Sequence, residues 1–217
     1  MLAIAGGKGG CGKTTTTHRL GRALAELGAS PLLVDADVEM PDLHSHASVP
    51  PDPGLPAVAQ GDRPRSVAHT PETRPNLAVL PSAGADPDDL TAAASRLREW
   101  PGPVLLDCPA GALRDAARPL RVADRTLLVT TPRPAALGDA IKTAAMAAEL
   151  DAPAEGAVIV ETTPADDADR VPTAAAREAL TCPVSARISY TGEGGHPPEA
   201  VRSAYRSLAR KVRQRNI

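Results

Sequence analysis

The sequence predicts an α/β fold: a mostly parallel β-sheet with helices on both faces, in three layers. Three observations lead there. Short apolar runs alternate with helical stretches along most of the chain. The apolar residues are chiefly Ala, Leu and Val, with no Phe and one Trp in 217 residues, a palette suited to buried strands under Ala-rich helices. Strands joined through helices take right-handed crossovers, which set neighbouring strands parallel. The length suits one well-buried domain, residues 1–217, and would cramp a second.

The elements follow in order. Leu2–Ala5 is a strand, and Lys13–Leu27 a helix with Leu20, Leu24 and Leu27 on one face, stopped by Gly28. Leu32-Leu33-Val34 is a buried strand ending in Asp35-Ala36-Asp37. From Val38 to Pro75 the chain is Pro-rich and polar, with short helical pieces at Leu55–Gln60 and near Val67. Leu77–Leu80 is a strand. Asp86-Pro87 opens a helix to Arg98, with Asp as N-cap and Pro in the first turn. Val104–Leu106, ending at Asp107, and Thr126–Val129 are strands. Pro134–Leu150 is a helix, Ala157–Val160 a strand, Pro172–Leu180 a helix, Val184–Ile188 a last strand and Pro197–Arg215 the final helix.

Composition narrows the function. A net charge of -2 gives no global signature of a nucleic-acid binder, and 42% hydrophobic residues argue against disorder. Cys11, Cys108 and Cys182 are isolated, with no C-x-x-C pair, which points to a reducing compartment. The chain opens directly on a strand and has no apolar run of membrane-spanning length. The expectation is a soluble cytoplasmic protein. Lysine occurs only as Lys8, Lys13, Lys142 and Lys211, and arginine supplies the other cations. The two lysines of the first loop are therefore informative: a compact ammonium stands where an arginine would present a wide planar fork.

Gly7-Lys8-Gly9-Gly10-Cys11-Gly12-Lys13-Thr14 matches G-x-x-x-x-G-K-[ST] without a gap, between an apolar strand and a helix. Glycines let the backbone curl so that N–H groups point inward at phosphate oxygens, and the helix N-terminus adds partial positive charge. Lys13 is placed to reach the β- and γ-phosphates, and Thr14 to offer its hydroxyl to Mg²⁺. The nucleotide, read as ATP, is expected between Gly7 and Thr15. A glycine-rich turn without a ligand is the bland alternative; the complete motif and its flanks favour the phosphate loop.

The run Lys8-Gly9-Gly10-Cys11-Gly12-Lys13-Thr14-Thr15 resembles the deviant Walker A motif, K-G-G-x-G-K-[ST]-[ST], of the MinD/ParA ATPases. The resemblance implies a P-loop NTPase in which Lys8 is the signature lysine, crossing a dimer interface to the partner's nucleotide. Leu32-Leu33-Val34-Asp35-Ala36-Asp37 resembles the family's D-x-D segment in switch I. It implies that Asp37 orients the attacking water and joins the magnesium shell, with Asp35 in support. Val104-Leu105-Leu106-Asp107-Cys108-Pro109-Ala110-Gly111 resembles the Walker B and switch II segment, with Asp107 on a magnesium-bound water and Gly111 a hinge. Pro81-Ser82-Ala83-Gly84, the Leu127–Pro132 strand with its following Ala136–Ala140 helix, and Ala204-Tyr205 extend the likeness along nearly the whole chain.

The chain departs from the family pattern around the base. A late strand that commonly leads to a V-x-N-[KR] segment continues here as Glu161-Thr162-Thr163, and the I-P-x-[DE] loop reads Ile188-Ser189-Tyr190-Thr191-Gly192-Glu193. Thr162 and Tyr190 are the polar candidates to replace those groups. Cys182-Pro183-Val184-Ser185 lacks the second cysteine of iron–sulfur carriers. In the last helix Val201, Tyr205, Leu208 and Val212 form one stripe and Arg202, Arg206, Arg210 and Arg213 another. It reads first as a helix packed on the sheet with a solvated basic face; a non-specific DNA patch or a membrane-surface helix are the alternatives. With the chain ending at Ile217, a membrane role is expected to need another segment or a partner.

The resemblance implies a weak Mg²⁺-dependent ATPase that dimerises with ATP, meets a protein activator or cargo, and positions a division, partition or surface component. The alternatives are a nucleotide-gated scaffold with little hydrolysis, and an ATP-dependent partner in metal or cluster insertion.

Overall fold

The computed structural model describes residues 1–111, 114–162, 170–189 and 197–214. Their strands are β1 (Leu2–Gly6), β2 (Leu32–Asp35), β3 (Ala78–Leu80), β4 (Val104–Ala110), β5 (Arg125–Thr130), β6 (Ala154–Val160) and β7 (Val184–Ile188). Their helices are α1 (Lys13–Glu26), α2 (Leu43–Ala47), α3 (Leu55–Gln60), α4 (Pro64–Val67), α5 (Asp89–Arg98), α6 (Arg114–Val122), α7 (Pro134–Glu149), α8 (Thr173–Leu180) and α9 (Glu199–Gln214).

The seven strands form one sheet in the order β3-β2-β4-β1-β5-β6-β7, every pair parallel. The strand order reverses beside β1, between β4 and β5. In an open parallel sheet such a switch leaves a crevice at the strand C-terminal ends, where ligands bind. The loop after β1 opens there. β1, β2 and β4 carry almost no polar side chain until Asp35 and Asp107, and both faces of these strands are buried.

Two layers of core follow from the strand alternation. Ile4, Leu33, Leu105 and Val129 pack against Leu20 and Leu24 of α1 and against Val201, Tyr205, Leu208 and Val212 of α9. Ala3, Val34, Leu80 and Leu106 face the other way, toward α3, α5 and α6. The α9 stripe read from sequence is thus core. Its basic stripe is largely engaged: Arg202 and Arg206 bond Glu199, and Arg213 donates to the carbonyl of Leu27 at 2.6 Å.

Several expectations shift. The helix placed from Asp86 begins at Asp89, because Asp86-Pro87-Asp88 forms a turn in which Asp86 N–H donates to the Asp89 carboxylate at 2.9 Å. That carboxylate faces a turn, so no Asp side chain caps the helix. Two helices are additional to the sequence reading. α2 lies inside the polar stretch after Asp37, and α6 follows β4 despite Pro119 in its middle. Pro198 precedes α9, which starts at Glu199, and position 215 lies outside the described residues. Among the described residues no helix is long and apolar enough to cross a membrane.

Leu105 is fully buried on β4, between β1 and β2. Leu105→Ala is expected to cost about 2–5 kcal/mol of folding free energy. Urea denaturation followed by circular dichroism measures it; a cost below about 1 kcal/mol would contradict the placement of the core at this strand.

Candidate functional site

The loop between β1 and α1 is shaped by its glycines in two different ways. Gly12 has φ +93° and is the N-cap of α1, a left-handed geometry that a side chain strains. Gly7 is needed for another reason: a Cβ there would lie 2.4 Å from Cβ and 2.5 Å from the carbonyl oxygen of Asp139 on α7. α7 therefore closes on the loop as tightly as a backbone hydrogen allows. Sequence reasoning assigned all the glycines to backbone curling; the close approach of α7 is a contact no local pattern reveals.

α1 offers its N-terminus to an anion. No side chain caps it and no acidic residue occupies its first turn, so the positive end of the helix is left uncompensated. Lys13 is only 9% exposed, and its ammonium donates to the carbonyl of Lys8 at 3.5 Å across the curled loop. Lys8 itself is exposed, as are Gly9 and Gly10. Cys11 turns its thiol into the core, toward the Val129 carbonyl at 3.4 Å, leaving its main chain to the loop. Thr14 and Thr15 are half-buried at the mouth.

The acids sit opposite. Asp35 and Asp107 are in register on neighbouring strands β2 and β4 and are 0% and 2% exposed. Asp107 accepts from Thr17 Oγ1 at 2.9 Å and from the Thr14 hydroxyl. Both oxygens of Asp35 accept backbone N–H groups, from Asp37 at 3.2 Å and Leu43 at 3.1 Å. Asp35 therefore holds the loop that carries Asp37 onto α2. Asp37 is half-buried, accepts from Met40 N–H at 3.1 Å, and lies within electrostatic reach of Lys13.

Burial sets the electrostatics. Desolvation, reinforced by the charge of Asp107, pushes Asp35 up to about 8. Desolvation pushes Asp107 up to about 7 against the opposing hydrogen bonds of Thr14 and Thr17. Asp37 is raised by burial, with the Met40 hydrogen bond and Lys13 working the other way. Buried carboxylates with so little positive charge beside them suit a divalent cation, which favours their ionised form. Among the described residues no cluster of three or more His, Cys, Asp or Glu forms a ready-made metal cage. That donor set suits magnesium, which is typically held by one or two protein groups together with phosphates and water.

At the base end, Val160 of β6 packs on Gly12, 3.4 Å from a Cβ built there. Beyond it Glu161 is held by ion pairs with Arg170 and Arg187, and Thr162 is exposed. Tyr190, with the segment 191–193, and Thr163 lie outside the described residues. Two functional contacts were missing from the sequence reading. Thr17, on the turn after the motif, bonds Asp107; the run Thr14–Thr17 was its only signal. Thr16 pairs with the Tyr205 hydroxyl at 3.1 Å, tying α9 to the start of α1.

A glycine loop on an uncapped helix N-terminus, with a buried lysine and facing strand-end carboxylates, defines a nucleotide-binding P-loop protein. Residues 2–190 match the family model described as the CobQ/CobB/MinD/ParA nucleotide binding domain, and the chain belongs to that family. An uncharacterized ATP-binding protein of Methanocaldococcus jannaschii is 32% identical over 168 residues, 73% of this chain and 63% of the relative. The septum site-determining protein MinD of Synechocystis is 30% identical over 152 residues, 64% of this chain and 56% of the relative. The chain thus spans roughly six-tenths of the length of these curated relatives. Among solved structures, the Pyrococcus furiosus cell division ATPase MinD superposes with a TM-score of 0.82 at 26% identity, covering 98% of both chains. MinD of Pyrococcus horikoshii, complexed with Mg-ADP, gives 0.83 at 25% identity over 99% of this chain and 96% of that one.

The raised carboxylates make stability depend on pH. The folded chain retains protons on Asp35 and Asp107 that the unfolded chain releases near 4, so their contribution falls as pH rises toward about 8. His18 acts with the opposite sign: burial lowers it to about 4 from 6.5, so it adds stability only as pH rises to about 6.5. Between pH 6.5 and about 8 the carboxylates dominate. The protein free of nucleotide and magnesium is expected to lose thermal stability over that window, and Asp35→Asn to flatten the slope. Scanning calorimetry in matched buffers checks both; a wild-type slope of zero or of rising stability contradicts the assignment.

Proposed function

We propose that this chain is a weak Mg²⁺-dependent ATPase whose ATP-bound form dimerises and positions a protein cargo. One observation carries the reading: the phosphate loop turns Lys13 inward toward its own backbone while it leaves Lys8 exposed on its outer side. One ammonium serves the protomer's own nucleotide. The other is available to a second copy. MinD of Pyrococcus horikoshii, at 25% identity, is complexed with Mg-ADP, which supports the same nucleotide and ion here.

The roles follow from placement. Gly7 through Thr15 hold the phosphates, chiefly by backbone N–H groups and by Lys13. Bound magnesium supplies charge neutralisation for the β- and γ-phosphates, and Thr14, Asp37 and Asp107 are the groups that would hold its shell. Asp37 accepts a proton from, or orients, the attacking water. Asp35 keeps the Asp37 loop in place through its two backbone hydrogen bonds. Phosphoryl transfer depends mainly on positioning and charge, so these few groups suffice. Hydrolysis then ends the dimeric state.

The scaffold reading shares every binding residue and differs only in turnover, so phosphate release from Mg-ATP separates the two. The metal-insertion reading calls on Cys108 and Cys182. They lie in separate core clusters, both buried, which gives a single protomer no cysteine pair to present.

Lys8→Ala is expected to reduce ATP-dependent dimer by about tenfold or more while retaining nucleotide binding. Size-exclusion chromatography with ATP reads this; an undiminished dimer contradicts the role of Lys8. Asp37→Ala is expected to lower turnover by roughly a hundredfold and to accumulate ATP-bound dimer. Wild-type phosphate release from that variant would show that another group positions the water.

A further inference from the structure

A second concave site lies on the far side of α1. Its volume is about 550 Å³, within the range of ligand-binding clefts. His18 and Arg22 of α1, His46 and Val49 at and after α2, and Arg74 before β3 line it. On α1 the cleft begins at His18, five residues and about 7.5 Å along the helix axis from Lys13, and none of its lining residues belongs to the phosphate loop.

Its lining combines cationic and apolar side chains. Arg19, Arg22, Arg74 and His46 all lie within electrostatic reach of His18, and Arg202 of α9 lies within reach of Arg22. The acids nearby are fewer. Glu26 stands 3.4 Å from Arg74, Asp42 stands 3.8 Å from His46, and Glu72 lines the rim. Among the described residues Arg22 makes no hydrogen bond and no ion pair within 4.0 Å, and the buried Nε of Arg74 has no acceptor. Burial lowers the proton affinity of Arg22, and repulsion from Arg74 lowers it further, with Glu26 working the other way. An incoming anion relieves that repulsion. Val49 and Pro50 supply its accessible apolar surface, with Ala47, Pro71 and Leu77 buried behind them.

We propose that this cleft docks an acidic peptide segment of a partner protein, with carboxylates on Arg22 and Arg74 and an apolar side chain on Val49 and Pro50. Two features favour a peptide. The guanidinium groups come from separate elements, α1 and the segment before β3, and share the cleft with the apolar Val49 and Pro50, where a lone phosphate would want converging N–H donors alone. The cleft is concave, whereas a DNA duplex is gripped by cations that reach out to its backbone. Planar guanidinium forks suit carboxylates bidentately.

The test uses fluorescence anisotropy with a labelled peptide of alternating Glu and Leu, its Lys and Leu counterpart, and a short DNA duplex. The wild type is expected to bind the Glu peptide and not the Lys peptide. Arg22→Gln with Arg74→Gln should weaken binding at least about tenfold, and Val49→Glu should do so independently. Arg22→Lys with Arg74→Lys keeps the charge but loses the bidentate fork and should recover only part of the affinity, above that of the Gln double variant, which separates charge loss from misfolding. Binding of a fluorescent ATP analogue should be the same in all variants, which keeps this proposal distinct from the nucleotide site. Equal peptide binding by wild type and the Gln double variant overturns it. So does DNA binding that depends on Arg22 and Arg74 in the absence of peptide binding.

Discussion

A buried hydrogen bond joins the sheet to the helix that presents the nucleotide loop: Thr17 Oγ1 donates to Asp107 at 2.9 Å. Asp107 is fixed by its strand, paired in register with β1 on one side and β2 on the other. Thr17 is fixed by α1, one turn beyond Lys13, whose carbonyl its hydroxyl also reaches at 3.1 Å. The distance between the Asp107 carboxylate and the N-terminal turn of α1 is therefore set by side chains in the core. The Thr16–Tyr205 contact adds a second brace from α9 to the same turn. A loop of glycines has little rigidity of its own, and its shape is imposed by what holds its two ends.

The same arrangement concentrates charge of opposite sign across a small space. The N-terminus of α1 and the Lys13 ammonium stand on one side, and Asp35, Asp37 and Asp107 on the other. Burial holds two of these acids near neutral pH values, which eases the cost of keeping them in the fold without a cation. Ligand and ion together restore the charge balance that the apolar surroundings deny. The uncompensated helix end and the buried acids thus lie in the same few residues.

The fold was legible because its signals are local and repeated. Apolar runs such as Leu32–Val34 and Val104–Leu106 separate stretches of helical spacing, and the all-parallel sheet follows from that alternation. α2 was hidden by its polar sequence, since Leu43-His44-Ser45-His46-Ala47 buries only its ends. α6 was hidden by Pro119, which is tolerated because the helix packs on β4 and because Ala123 still closes on the Pro119 carbonyl at 3.0 Å. The phosphate loop was legible residue by residue because it is contiguous. Its supports were not: Thr17 meets Asp107 across 90 residues, Thr16 meets Tyr205 across 189, and Gly7 meets Asp139 through a tertiary approach. Spacing in a sequence carries periodicity; it does not carry which helix lies against which loop.

The central claim is that a nucleoside triphosphate with magnesium binds at Gly7–Thr15 through Lys13. Isothermal titration of the purified protein with ATP and with GTP, with and without Mg²⁺, measures it most directly, beside Lys13→Ala. The account predicts saturable, magnesium-strengthened binding of one nucleotide per chain, with ATP favoured and with loss of binding in Lys13→Ala. No binding of either nucleotide to the folded wild type, or undiminished binding in Lys13→Ala, would contradict it.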